Sequence, residues 1–190
     1  MYPVTLGARS LWERWNTLTE YGPNSQTMNS LNHYGFGVSA AFMITTCAGI
    51  QRRANGEYNN VGFRNFVLQP SPGGSLQSVR GTYDSVYGTI VSAWTARPDV
   101  VHEKSGISDM TSYSAVVPPN TTAVLYLPLG QTIHEKAVKG FKGAPGVTFV
   151  AITRHNNIDV AEFRLAAGGN DFKVVGGALV AAVQKGYVAY

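Results

Sequence analysis

Across 190 residues there is one cysteine, Cys47. An internal disulfide is thereby excluded, and so is a zinc site built from four cysteines. Charge is also scarce: Asp, Glu, Lys and Arg supply 14% of the residues, against 44% hydrophobic. Intrinsic disorder, which needs low hydrophobicity and high net charge, does not fit that balance. No apolar run approaches the roughly 20 residues of a membrane-spanning helix. Met1 to Trp15 lacks the basic region and continuous apolar stretch of a secretory signal. The net charge is +4, but the basic residues are scattered, and the densest groups are Gln51-Arg52-Arg53 and Lys136 to Lys142. Neither makes a basic helix face, and no nucleic-acid-binding motif is present. The expectation is a soluble globular chain with neither nucleic acid nor membrane as a partner.

Turn-forming residues are plentiful, with 21 Gly and 9 Pro, which points to many short strands. The chain reads in two parts, a helical segment over residues 1–57 and a β-domain over residues 58–190. In the first, Leu31, Tyr34, Val38, Ala41, Phe42, Thr45 and Ala48 recur three and four apart, the spacing of a helix with one buried stripe. Asn29 or Ser30 suits its N-cap and Gly49 its stop, while Gly35 and Gly37 each cost about 1 kcal/mol of helix propensity. A shorter helix is expected from Leu11 to Leu18. Beyond Asn55 the helical period gives way to strand candidates. These are Gly62–Gln69, Val79–Tyr83 with a turn near Asp84-Ser85, Gly88–Thr95, Tyr113–Val117 and Thr122–Leu127. Val147–Thr153, Val160–Leu165, Phe172–Val175 and Ala178–Val183 complete the set. Ile90, Ser92 and Trp94 fall on one strand face and Thr89, Val91 and Ala93 on the other. Short strands with turn chemistry between them predict an antiparallel β-sandwich.

Two clusters near the N-terminus, Gly7-Ala-Arg-Ser-Leu-Trp-Glu-Arg-Trp-Asn16 and Met28-Asn-Ser-Leu-Asn-His-Tyr-Gly-Phe-Gly37, resemble the end of the catalytic domain of glycoside hydrolase family 78, the α-L-rhamnosidases. Gly62-Phe-Arg-Asn-Phe-Val-Leu-Gln-Pro70, Gly73-Gly74, Tyr87-Gly88 with Ser92-Ala-Trp94, and Val117-Pro-Pro-Asn-Thr-Thr122 with Tyr126-Leu-Pro128 are similar to that family's C-terminal β-domain. The likeness runs in order over about residues 7 to 130 and weakens after Leu129. It implies a mainly β fold: a jelly-roll-like antiparallel β-sandwich preceded by two or so helices from the end of an α/α six-hairpin barrel. It also implies inverting hydrolysis releasing terminal α-L-rhamnose from a rhamnose-containing glycoside, without a cofactor. On this resemblance Glu13 is the general base, His33 a sugar contact, and Trp12 and Trp15 aromatic walls of the pocket. The family's general acid has no match here, so the chain alone is expected to be inactive. Its partner would be a barrel chain, or a second copy meeting it through the Leu31–Phe42 helix. The alternative is a β-sandwich that stands alone as a carbohydrate-binding or structural module.

Taken without the resemblance, Glu13 reads as a surface acid and His33 as an ordinary structural histidine. Trp94 and Tyr83 read as core. His102, His134 and His155 lack the spacing of metal ligands, so no metal site is expected. Gly73-Gly74 and Gly176-Gly177 read as turns, and Cys47 as an inert thiol in an apolar helix. Asp159 and Glu162 have nothing around them to make a catalytic pair.

Overall fold

A computed structural model describes residues 2–15, 29–53, 58–103 and 105–184. The chain comprises two compact units, Met1–Phe42 and Met43–Tyr190. In the smaller unit, α1 spans Tyr2–Thr5, a 3-10 turn spans Tyr34–Gly37, and α2 spans Val38–Phe42. The helix expected from Leu31 is present as consecutive helical turns from Tyr34 to Cys47, but not as one regular α-helix. Gly35 and Gly37 weaken its start, and the β-branched run Ile44-Thr45-Thr46 weakens its end, where a π-helical turn, Met43–Cys47, is found instead. Most of the stripe expected to be buried is open: Tyr34 is 90% exposed, and Leu31, Val38 and Phe42 are each more than half exposed, while Ala48 at its end is buried. The Ser30 hydroxyl accepts the Asn32 N–H, and His33 holds the cap position of the 3-10 turn without a side-chain bond. Residues 11–15 are non-helical, and the rest of the helix expected to Leu18 lies outside the described residues.

The larger unit is an antiparallel β-sandwich. One sheet contains β1 (Ile50–Arg52), β2 (Asn65–Leu68), β6 (Thr122–Pro128), β8 (Ile158–Leu165) and β7 (Val147–His155), in that spatial order. The other contains β10 (Ala178–Gln184), β9 (Gly168–Val175), β5 (Ser108–Val117), β4 (Gly88–Val101) and β3 (Ser78–Ser85). All neighbours run antiparallel except β2 and β6, which are parallel. Phe66, Leu68, Leu125 and Phe163 from the first sheet meet Ile90, Trp94, Tyr113 and Phe172 from the second in one core. The Phe163 and Phe172 rings, 5.2 Å apart and tilted, join the two faces.

Strict alternation made β4 readable: Ile90, Ser92 and Trp94 all point inward. The buried polar groups on that face are satisfied by the π-helical turn. Trp94 Nε1 donates to the Cys47 carbonyl at 2.8 Å, and the Ser92 hydroxyl reaches the Ala48 carbonyl and the Tyr113 hydroxyl. These bonds take up carbonyls that a helix end leaves unpaired. Cys47 is half-buried at the end of this π-helical turn.

Other elements depart from the sequence reading. The strand expected from Gly62 starts at Asn65, because Gly62 and Phe63 have positive φ and residues 58–63 form 3-10 turns. β4 continues past Thr95 to Val101, tolerating Pro98 where the pairing with β5 is irregular. Tyr83 is 39% exposed, its ring 4.5 Å from that of Phe63, and is not a core residue. β1 was not anticipated, nor was α3 (Glu135–Lys139), which His134 caps by accepting the Ala137 N–H on Nδ1. The least readable region, from Gly168, supplies β9 beside the central β5 and β10 beyond it. Gly176-Gly177, both at positive φ, makes the tight turn between them.

Candidate functional site

In the smaller unit two irregular segments lie side by side. The His33 N–H donates to the Leu11 carbonyl at 2.6 Å and the Glu13 N–H to the Ser30 carbonyl at 2.9 Å. The Ser10 hydroxyl donates to the Leu31 carbonyl. This ladder sets Glu13 opposite Ser30, and the Ser30 N–H returns a 2.8 Å bond to Glu13 Oε2. His33 Nδ1 lies 3.9 Å from the same oxygen, beyond hydrogen-bond length. The two residues taken from the resemblance are therefore neighbours. The His33 ring also lies 5.2 Å from the ring of Phe36. Trp12 is half-buried, whereas Trp15 is 71% exposed. Among the described residues the arrangement is a carboxylate whose Oε2 is anchored by a backbone donor, with an imidazole beside it.

The Ser30 anchor was missed by sequence reasoning. A backbone N–H is carried by every residue but proline, so side-chain identity gives no signal for it.

A second polar cluster belongs to the larger unit and is structural. Asp109 is almost fully buried and pairs in register with Arg97 across β4 and β5. Its Oδ2 accepts from Arg97 Nε at 3.0 Å, from Arg97 Nη2, and from the Thr132 hydroxyl at 2.7 Å. Its Oδ1 accepts the Thr132 N–H at 2.8 Å. A Cβ on Gly130 would come 2.6 Å from Oδ1, so glycine leaves the carboxylate its room. Burial pushes the Asp109 carboxyl up, but the Thr132 and Arg97 hydrogen bonds and the Arg97 charge together hold it below the ordinary value of 3.8. A folded-state pKa below the unfolded one contributes stability that is complete above that ordinary value. The contribution is lost as pH falls through the depressed one. Asp109→Asn is therefore expected to lower stability at neutral pH by about 1–2 kcal/mol, moderated by the half-exposed Arg97. Urea midpoints measured against pH check this, because the gap between parent and variant closes as the solution is acidified below the ordinary carboxylate range.

Asp159 and Glu162 project from opposite faces of β8, three positions apart, which excludes a paired-carboxylate role. His155 stacks on Tyr126, with ring centroids 4.4 Å apart. Among the described residues no three His, Cys, Asp or Glu side chains are grouped to hold a metal ion, and no helix is long and apolar enough to cross a membrane.

Residues 1–47 match the model of the bacterial α-L-rhamnosidase six-hairpin glycosidase domain, and residues 49–142 that of the bacterial α-L-rhamnosidase C-terminal domain. The α-L-rhamnosidase of Streptomyces avermitilis is 35% identical over 128 residues, covering 67% of this chain and 11% of that protein. That of Formosa agariphila is 31% identical over 128 residues, covering 67% and 12%. The crystal structure of the Streptomyces avermitilis enzyme complexed with L-rhamnose matches with a TM-score of 0.54 at 30% identity, over 92% of this chain and 14% of that one. The end of a six-hairpin glycosidase domain followed by an antiparallel β-domain defines the class. Within it, the chain belongs to the bacterial α-L-rhamnosidase family. It spans about a tenth of the length of the curated relatives it matches.

Proposed function

We propose that the chain is the C-terminal part of an α-L-rhamnosidase and supplies the general base, Glu13, of an inverting hydrolysis. The observation that carries this reading is the anchored carboxylate: Ser30 N–H fixes Glu13 Oε2, and His33 stands 3.9 Å from it. In inversion one carboxylic acid protonates the leaving oxygen while a carboxylate across the ring takes a proton from the attacking water. The proton moves from water to Glu13, the water oxygen bonds to the anomeric carbon, and the glycosidic bond breaks toward the protonated aglycone oxygen. Glu13 performs the first of these transfers. His33 hydrogen-bonds a rhamnose hydroxyl, and Trp12 and Trp15 pack against the sugar's C–H surface.

Glu13 is the only acid among the described residues of the smaller unit. The general acid, set about 6.5–9.5 Å from the base to admit the water, comes in this proposal from barrel helices outside these 190 residues. Those helices also cover the open side chains of Leu31, Tyr34, Val38 and Phe42. The test is release of a chromogenic aryl alcohol from its α-L-rhamnoside by the purified chain. No turnover is expected at high enzyme concentration. Turnover that disappears in Glu13→Gln would overturn the division of labour between base and acid.

A further inference from the structure

Away from Glu13, one end of the β-sandwich holds a cleft of about 810 Å³, within the range of small-molecule sites. It lies between the end of β4, the segment after β6, the start of α3 and the β7–β8 hairpin. We propose that this cleft binds a neutral carbohydrate segment, as a site separate from the hydrolytic one. The proposal goes beyond the function proposed above and rests on the cleft alone.

Three features of the lining define the ligand class. The apolar part, Val101, Ile107, Ile152 and Ile158, offers aliphatic surface of the kind that meets the C–H face of a sugar ring. Around it stand both donors and acceptors. Arg154 and Asp159 face each other in register on β7 and β8, giving one cationic donor beside one anionic acceptor. Because His134 Nδ1 already accepts the Ala137 N–H, the neutral ring carries its proton on Nε2 as a further donor. Gln131 offers both roles through its amide. Adjacent ring hydroxyls each donate and accept, so a polyol engages such a mixture while a simple ion does not. The balance of charge opposes an anion: Glu103 and Asp159 outnumber Arg154. A metal cation has no group of three ligands to hold it among the described residues. Asp109 at the base of the cleft is already saturated by Arg97 and Thr132, and Glu135 is paired with Lys139. Glu103 and Asp159 are thus the carboxylates left for hydroxyl recognition, and Asp159 stands beside the Arg154 donor.

The test is a two-dimensional amide NMR titration of the full chain with methyl α-L-rhamnoside, with the anionic methyl α-D-glucuronide alongside. The expected result is progressive movement of the Gln131, Arg154 and Asp159 amides with the neutral glycoside and none with the glucuronide. Asp159→Asn is expected to weaken binding about tenfold. Gln131→Ala, which removes a different polar contact, is expected to weaken it as well. Both variants should leave the rest of the spectrum in place. Absence of cleft shifts, equal binding of the glucuronide, or affinity unchanged by both substitutions would overturn the proposal. Shifts confined to Glu13 and His33 would overturn it while supporting the hydrolytic site, so the two readings fail separately.

Discussion

Gly49→Ala is expected to destabilise the chain by about 3–4 kcal/mol, a large share of the 5–15 kcal/mol that holds a typical domain folded. Gly49 sits between the π-helical turn and β1 with φ +77°, where an alanine is strained by about 1–2 kcal/mol in any surroundings. The surroundings add to that. A Cβ built on Gly49 falls 2.2 Å from the Gln69 carbonyl carbon and oxygen and 2.3 Å from Pro70 N. These are backbone atoms, and they cannot swing aside as a flexible side chain does. The Gln69 N–H also donates to the Gly49 carbonyl at 2.8 Å, so separating the strands to admit the methyl group would loosen the edge where Ile50 pairs with Leu68. Gly176→Asn is the matched control. Gly176 has φ +58°, no atom lies within 4 Å of its built Cβ, and asparagine tolerates that conformation. Urea unfolding should show a large fall in midpoint for Gly49→Ala and a small change for Gly176→Asn.

How much could be read beforehand depended on whether side chains or backbone did the specifying. β4 was legible because Ile90, Ser92 and Trp94 alternate with residues of the other face, and alternation is what a half-buried strand requires. β1 has three residues, too few to alternate, and exists because Ile50, Gln51 and Arg52 pair with β2. Gly168 and Gly169 broke the pattern of β9, yet the strand forms because Val116 and Val117 of β5 give those glycines ladder partners. The helical spacing after Leu31 was present, but Gly35 and Gly37 sit where its first turns would form, and the chain takes a 3-10 turn there. At the candidate site the resemblance named Glu13 and His33, and the structure places them side by side. Neither the Ser30 N–H that anchors the carboxylate nor the Arg97–Asp109–Thr132 cluster had a sequence signal. The first is a backbone group, and the second exists only through strand register and the fold of the segment after β6.

The second large effect concerns Glu13 at work. On the proposed mechanism its carboxylate accepts a proton from water, a task general bases perform with a contribution of about 10²–10⁴-fold. Glutamine keeps the shape and an oxygen for the Ser30 N–H, but it cannot take that proton. The loss should therefore appear in kcat with KM little changed. The direct measurement uses a chimera in which this chain replaces the matching segment of the Streptomyces avermitilis enzyme, assayed on an aryl α-L-rhamnoside with and without Glu13→Gln. The parent chimera is expected to be active, and the variant's kcat to be lower by about 10²–10⁴-fold. A Glu13→Gln chimera that turns over as fast as its parent would show that Glu13 is not the base.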